Sequence, residues 1–369
     1  MKAISTGNIY EIFDDTLMTY DKLPAQSYVV RFDKRRGYFL EKYVDIEINE
    51  EKVYGIHTEK VEKVLSSFDK FDRSMGVILS GDKGIGKSLF AKMLSAEGMS
   101  RGLPLIVVDK YTPDIASYLE TIEQEVIVLF DEFDKTFGEV KSVDGEASPQ
   151  TALLGLFDGI SGGKKLFVVT CNELRKLNEY LINRPGRFHY HLRFDYPSAD
   201  QIREYMMDKI PEDRYEEIED VVSFSTRVNL NYDCLRAIAF EISRGETFKS
   251  AIRDLNIINL EEEEYNVTLH FNNGFKATAK SVRIDMFGDG EYDFWVYDNR
   301  YNDAGKVVFN VRDSEFDCRM SANVIAAGDF SFTYDEDEND PDEIVQARAS
   351  GVNCLTISRK KARNIHYMV

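Results

Sequence analysis

The eight residues Gly81-Asp82-Lys83-Gly84-Ile85-Gly86-Lys87-Ser88 constrain this chain more than any other stretch. They fit G-x-x-x-x-G-K-[ST], and the flanking sequence is what that pattern requires. Residues 75–80 are a short apolar run that reads as a buried strand, and residues 88–96 place apolar side chains at 89, 90, 93 and 94, a helical spacing. A strand passing through a glycine-rich turn into a helix aims successive backbone N–H groups and a helix N-terminus at one point, where a phosphate binds. Asp82, Lys83, Gly84, Ile85, Gly86, Lys87, Ser88 and Leu89 would line that point. Lys87 would reach the β- and γ-phosphates of a nucleotide, and the Ser88 hydroxyl would ligate Mg²⁺. The competing reading is a chance glycine-rich turn, which the flanking strand and helix patterns disfavour.

Residues 126–130 are five consecutive apolar residues, the pattern of a strand buried on both faces, and they end in Asp131-Glu132. Two carboxylates at the end of a central parallel strand would stand beside the phosphate loop. Asp131 can hold Mg²⁺, usually through water, and Glu132 can polarise an attacking water. A solvated strand end is the alternative. Residues 166–170 form the next buried run, with Asn172 just beyond it. Its amide could orient the water or contact the γ-phosphate, or it sits in an ordinary turn.

At Arg184-Pro185-Gly186-Arg187-Phe188 a resemblance becomes plain. The phosphate loop, the acidic strand end Phe130-Asp131-Glu132-Phe133-Asp134, the segment 153–160, the segment 169–173 and this arginine motif together resemble an AAA ATPase of the AAA+ superfamily, over about residues 50 to 257. The resemblance implies an oligomeric ring, usually a hexamer, with ATP and Mg²⁺ bound between neighbouring subunits. It also implies that Arg184 and Arg187 project into the neighbour's site as fingers. That role fits the guanidinium fork, which neutralises charge on a transferred phosphoryl group. The chain is also similar to stand-alone AAA ATPases of tailed bacteriophages.

Two segments depart from the family pattern. Ring translocases usually carry an aromatic-hydrophobic-glycine pore loop after the second strand, at residues 104–108; here the sequence is Asp109-Lys110-Tyr111-Thr112-Pro113-Asp114-Ile115, without that glycine. Thr112 reads as a helix N-cap with Pro113 in the first turn, so Tyr111 is either the apolar residue packing before the cap or a substrate-gripping side chain. This compact spacing looks closer to the mitochondrial inner-membrane AAA translocator group than to unfoldases. In the amphipathic helix 231–242, Arg236 falls where many AAA+ proteins carry a second sensor arginine, although core AAA members often lack it. It either contacts the γ-phosphate from the lid or pairs with acids on the lid surface. The stretch 53–57 resembles the one that lies against adenine, with backbone groups at Gly55 reading the base and Ile56 packing on it.

The fold expected is α/β: an AAA+ P-loop core with a parallel sheet at 51–197, a helical lid at 198–258, a C-terminal antiparallel β-domain at 259–369 and a small N-terminal β element at 1–50. In the last of these, residues 27–32 and 37–42 read as a hairpin with a basic tip at 33–36. The β-domain shows period-two segments at 265–271 and 293–297 and hairpin turn chemistry at Asn272-Asn273-Gly274. No family is recognised in it, and it reads as a unit that folds alone and recognises the target. The acidic segment 335–340 lacks metal-loop spacing and reads as a solvated loop, and the basic segment 359–363 as a docking tail or a strand end.

With Lys+Arg 46 against Asp+Glu 65, the net charge of −19 disfavours nonspecific grip on nucleic acid or anionic membrane. Cys171, Cys234, Cys318 and Cys354 have no zinc or disulfide spacing. No apolar run approaches the ~20 residues needed to span a bilayer, and no signal pattern opens the chain, so a cytoplasmic location is expected. Three functions compete: a ring ATPase that remodels or disassembles a protein substrate, a nucleic-acid motor or loader, and an ATP-gated structural assembly. The charge balance and the absence of a basic-aromatic platform favour the first.

Overall fold

Apolar runs bounded by turn residues become the central strands of one sheet. The computed structural model describes residues 1–44, 54, 57–138, 148–158, 162–257, 263–317, 319–320, 322–336 and 340–360. It divides into two units, Met1–Tyr196 and Pro197–Val369.

In the first unit the strands are β1 (Lys2–Thr6), β2 (Ile9–Phe13), β3 (Ser27–Asp33), β4 (Gly37–Lys42), β5 (Met75–Ser80), β6 (Leu105–Val108), β7 (Val126–Phe130), β8 (Lys165–Cys171) and β9 (Phe188–Arg193). The helices are α1 (His57–Lys70), α2 (Lys87–Ser100), α3 (Ile115–Glu120), α4 (Phe133–Thr136), α5 (Pro149–Ala152) and α6 (Leu154–Phe157). Among the described residues, seven strands form the sheet β4-β3-β6-β7-β8-β5-β9. All of its neighbouring pairs are parallel except β3–β4. Because the strands are parallel, the carboxyl ends of β5, β7 and β8 share one edge, where open α/β sheets bind ligands.

Period-two alternation divides the core. Val77, Leu79, Ile127, Leu129, Leu166 and Val168 face α1 and α2 through Val64, Leu65, Phe68, Phe90 and Leu94. Ile78, Val128, Phe130, Phe167 and Val169 face the other way, onto Ile115, Phe133, Phe137 and Phe157. On that second side the Phe130 ring meets Phe133, Phe137 and Phe157 edge-on at 5.7, 5.6 and 5.7 Å. Each such pair adds about 0.5–1.5 kcal/mol beyond area burial. The cluster pins the single turn α4 to the strand end that precedes it.

Two local expectations are corrected. The hairpin 27–42 forms, but it belongs to the core sheet rather than to a separate element at 1–50: Ser27, Tyr28 and Val29 pair in parallel with Leu105, Ile106 and Val107. The unbroken run 27–30 is buried, with Val29 in one core cluster and Val30 in the other. That is the mark of an internal strand and not of a free hairpin. The small N-terminal sheet is β1–β2. Thr112 is not the cap of α3 and Pro113 is not in its first turn, because the helix begins at Ile115 with Asp114 as N-cap at φ 65. The Tyr38 hydroxyl donates to the Pro113 carbonyl and holds it outside the helix. Tyr111 is half-buried, its ring edge-on at 5.8 Å to Phe137, the residue after α4.

The second unit opens with four helices, α7 (Ala199–Lys209), α8 (Glu217–Ser225), α9 (Tyr232–Ser243) and α10 (Phe248–Asp254). Ser198 and Gln201 form a capping box on α7, and Asn231 and Thr247 cap α9 and α10. There follow β10 (Glu263–Phe271), β11 (Lys276–Ile284), β12 (Glu291–Tyr297), β13 (Asp303–Asn310), β14 (Glu315–Asp317), β15 (Ala322–Ala326), β16 (Phe330–Thr333), α11 (Asp342–Ser350) and β17 (Val352–Arg359). The strands pair antiparallel in the order β14-β15-β17-β10-β11-β12-β13-β16. Ile344 and Ala347 of α11, a helix unread in the sequence, join their core. Lid and sheet are bonded to each other. The Tyr265 hydroxyl donates to the Arg227 carbonyl at 3.2 Å, and Arg359 donates to Asn229 at 2.6 Å. These two bonds tie the β-sheet to the helices that precede it within the second unit. No helix among the described residues is long and apolar enough to cross a membrane.

Candidate nucleotide-binding site

The turn 81–86 links β5 to α2 and holds three glycines at positive φ, 142° at Gly81, 79° at Gly84 and 101° at Gly86. Gly81 is required twice over, since a Cβ there would lie 2.3 Å from the Phe194 carbonyl oxygen. Gly81→Ala is expected to lower the melting temperature, for a strain of roughly 1–3 kcal/mol; an unchanged melting curve would contradict this geometry. Asp82 and Lys83 are exposed, as is Ser88 in the first turn of α2. Ile85 is buried in the core, so only its backbone faces a ligand, and Leu89 is half-buried.

Lys87 is only 7% exposed. Its ammonium donates to the Gly81 and Asp82 carbonyls at 2.6 Å each and to Asn172 Oδ1 at 2.9 Å. Burial pushes its pKa down, against the nearby Cys171, Asp82, Asp134 and Asp131, which raise it. The loop lysine and Asn172 beyond β8 thus meet.

The acidic pair is organised by Thr170, which the sequence reading passed over. Its buried hydroxyl donates to Asp131 Oδ1 at 2.6 Å and accepts the Glu132 N–H at 2.8 Å. Glu132 has φ 48 and ψ 46, a left-handed conformation uncommon for a non-glycine residue and typical of functional sites. Its carboxylate is half exposed and accepts from Lys135 at 2.6 Å. Asp134, also unassigned from sequence, is 1% exposed, and its Oδ2 accepts the N–H groups of Asn172 and Glu173. The signal available for it was the third acid in 131–134.

Arg184 and Arg187 lie elsewhere. They precede β9, whose Phe188 is level with Gly76 and whose Arg193 is level with Ser80. The loop follows Ser80, so the arginines stand at the opposite edge of the sheet, roughly 15–20 Å away for a strand of this length. Arg184 is exposed, its guanidinium over the Tyr180 ring at 5.3 Å. Arg187 is 11% exposed and grips Asp158 with Nε and Nη2, while Nη1 donates to the Tyr180 carbonyl at 2.8 Å. The Arg187 hydrogen bond holds the Asp158 carboxyl below its ordinary range.

Gly55 and Ile56 lie outside the described residues, as does Cys318. Arg236 is on the exposed side of α9 in the second unit, 3.9 Å from Asp233.

Residues 77–196 match the model of the ATPase family associated with various cellular activities (AAA). The chain is 26% identical over 200 residues to protein CdcH of Halobacterium salinarum, covering 51% of this chain and 26% of that protein. It is 24% identical over 217 residues to a proteasome-associated ATPase of Acidothermus cellulolyticus (51% and 37% covered). To an AAA ATPase forming ring-shaped complexes from Bifidobacterium dentium it is 27% identical over 173 residues (39% and 33% covered). The chain thus spans about a quarter to just over a third of the length of these relatives. With the phosphate loop, acidic strand end and asparagine assembled at one sheet edge, residues 77–196 are an ATPase domain of the AAA family.

Proposed function

We propose that this chain assembles into a homo-oligomeric ring, of six subunits by family resemblance, that hydrolyses ATP and couples hydrolysis to remodelling or disassembly of a protein target. The observation that carries this reading is the split of the site across the sheet: loop, acids and asparagine at one edge, arginines at the other. Arg184 and Arg187 are too far from their own loop to serve it, so the site is complete only when a neighbouring subunit supplies them.

The donor set fits Mg²⁺–ATP. Glycine turns leave the loop open to a phosphate, Lys87 is held by three neutral acceptors that a phosphate oxygen can replace, and the Ser88 hydroxyl and Asp131 are the oxygen ligands Mg²⁺ takes. Bound Mg²⁺ supplies neutralisation of charge on the phosphoryl oxygens. Lys87 binds the phosphates, and Glu132 takes the proton of an attacking water. Asn172 orients the γ-phosphate end, and Arg184 and Arg187 act on the neighbour's site. Gly55, Ile56 and Arg236 belong to the same reading as adenine and lid contacts.

A protein target is supported by the printed name of the proteasome-associated relative and by the net charge of −19, which repels nucleic acid. Phosphate release from ATP is expected to stop on removal of Mg²⁺ by chelation and to be unchanged by added single- or double-stranded DNA. Stimulation by DNA would instead support a motor or loader, and an ATP-bound oligomer without steady turnover a nucleotide-gated assembly.

A further inference from the structure

Asp134 makes hydrogen bonds to one place only among the described residues. Its Oδ2 accepts the Asn172 N–H at 3.1 Å and the Glu173 N–H at 3.0 Å, and its buried Oδ1 has no partner. The carboxylate sits on α4, a single turn fixed by Phe133 and Phe137, whose rings stack at 4.7 Å against Phe130. It therefore carries the position of the acidic strand end to the segment after β8. The side chain of that same Asn172 accepts from Lys87. The connection runs from a rigid aromatic cluster, through two backbone N–H groups, to an amide and the phosphate-loop lysine.

We propose that Asp134 is a positioning residue that holds the Asn172 amide with its Oδ1 on Lys87 and its Nδ2–H free to donate to the terminal phosphate, so that the site distinguishes ATP from ADP. This inference rests on the nucleotide-binding reading above. A carboxylate suits the task because one oxygen can accept two N–H groups at full negative charge. An asparagine would keep an acceptor for both but turn its own N–H₂ into the buried space of Oδ1, where the carboxylate oxygen has no donor or acceptor beside it. An alanine would leave both N–H groups unpaired and Asn172 free to swing away from Lys87.

The test is the affinity for Mg²⁺–ATP and for ADP, measured by titration calorimetry on the full chain carrying Asp134→Ala, Asn172→Ala or both. Each single variant is expected to weaken ATP binding about tenfold while leaving ADP within about twofold, the size of one lost bond to a charged group. The double variant should be no weaker than either single one, because both changes remove the same contact. Equal losses for ATP and ADP, or multiplied losses in the double variant, would make Asp134 only a fold residue and overturn the proposal. Unchanged selectivity in Asn172→Ala would overturn it as well. If Asp134→Ala does not fold, Asp134→Asn serves, with an intermediate loss of ATP selectivity expected and wild-type selectivity counting against the idea. A wild-type chain that binds neither nucleotide refutes the nucleotide reading itself, and that result is distinct from all of these.

Discussion

Lys87→Ala is expected to abolish ATP binding, whereas Glu132→Gln should retain ATP and slow its hydrolysis by about 10²–10⁴-fold, the usual contribution of a general base. The difference follows from what each side chain touches. Lys87 is 7% exposed, and its ammonium is bonded to two carbonyls and one amide, all neutral. Exchanging these for phosphate oxygens converts neutral acceptors into anionic ones, which bind about twice as strongly. Without the lysine, no other side-chain cation of the loop motif is buried beneath the phosphates. Burial also depresses the Lys87 pKa below its ordinary 10.5. The ammonium is present below that depressed value and lost as pH rises through it, so ATP affinity should fall at lower pH than an unperturbed lysine would dictate. Glu132→Gln, by contrast, leaves the Glu132 N–H to Thr170 and the Thr170 bond to Asp131 in place. Binding of a fluorescent nucleotide and phosphate release, measured on both variants, decide the matter. Equal loss of ATP binding in the two would mean that lysine and glutamate do not divide the work this way.

The central strands were legible because each carries an unbroken apolar run: 126–130 and 166–170 agree with β7 and β8 to within a residue. β9 is the exception: Phe188-His189-Tyr190-His191-Leu192-Arg193 carries the period-two alternation of an edge strand, but it runs on directly from the arginine motif. α11 was hidden by the acidic stretch before it, and its two buried residues, Ile344 and Ala347, are a weak apolar stripe. The start of α3 is not readable from Thr112-Pro113 alone, since the Pro113 carbonyl is taken by the Tyr38 hydroxyl, 75 residues earlier in the chain. The site shows the same division. Motif spacing singles out Lys87 and Asn172, which the structure brings together beyond the ends of β5 and β8. Thr170, Asp134 and Asp158 work by holding other protein groups, and which groups they hold appears only when β7, β8 and the segment before β9 are side by side.

Arg184→Ala is expected to leave ATP binding and the melting temperature unchanged and to reduce hydrolysis about 10³–10⁵-fold, as loss of an arginine finger does. Arg187→Ala should lose hydrolysis too, but with a lower melting temperature. The two residues differ in what they do within their own subunit. Arg184 is exposed and touches only the Tyr180 ring face among its described contacts. Arg187 has all three guanidinium nitrogens engaged, two on Asp158 and one on the Tyr180 carbonyl. Removing it leaves Asp158 and that carbonyl without their donor, and a domain of this size loses about 2–4 °C per kcal/mol. Asp158→Asn should reproduce the thermal loss, which separates the clamp within the subunit from any contact across the ring. The Arg184 effect must then appear in trans. Mixing Arg184→Ala subunits with Lys87→Ala subunits should restore part of the activity, because some interfaces would pair an intact loop with an intact arginine. Verified mixed oligomers with no recovery, or a monomer with full activity, would show that the site is not shared. Wild-type hydrolysis by Arg184→Ala would transfer the finger role to Arg187, which would then have to release Asp158 each time a neighbour binds ATP.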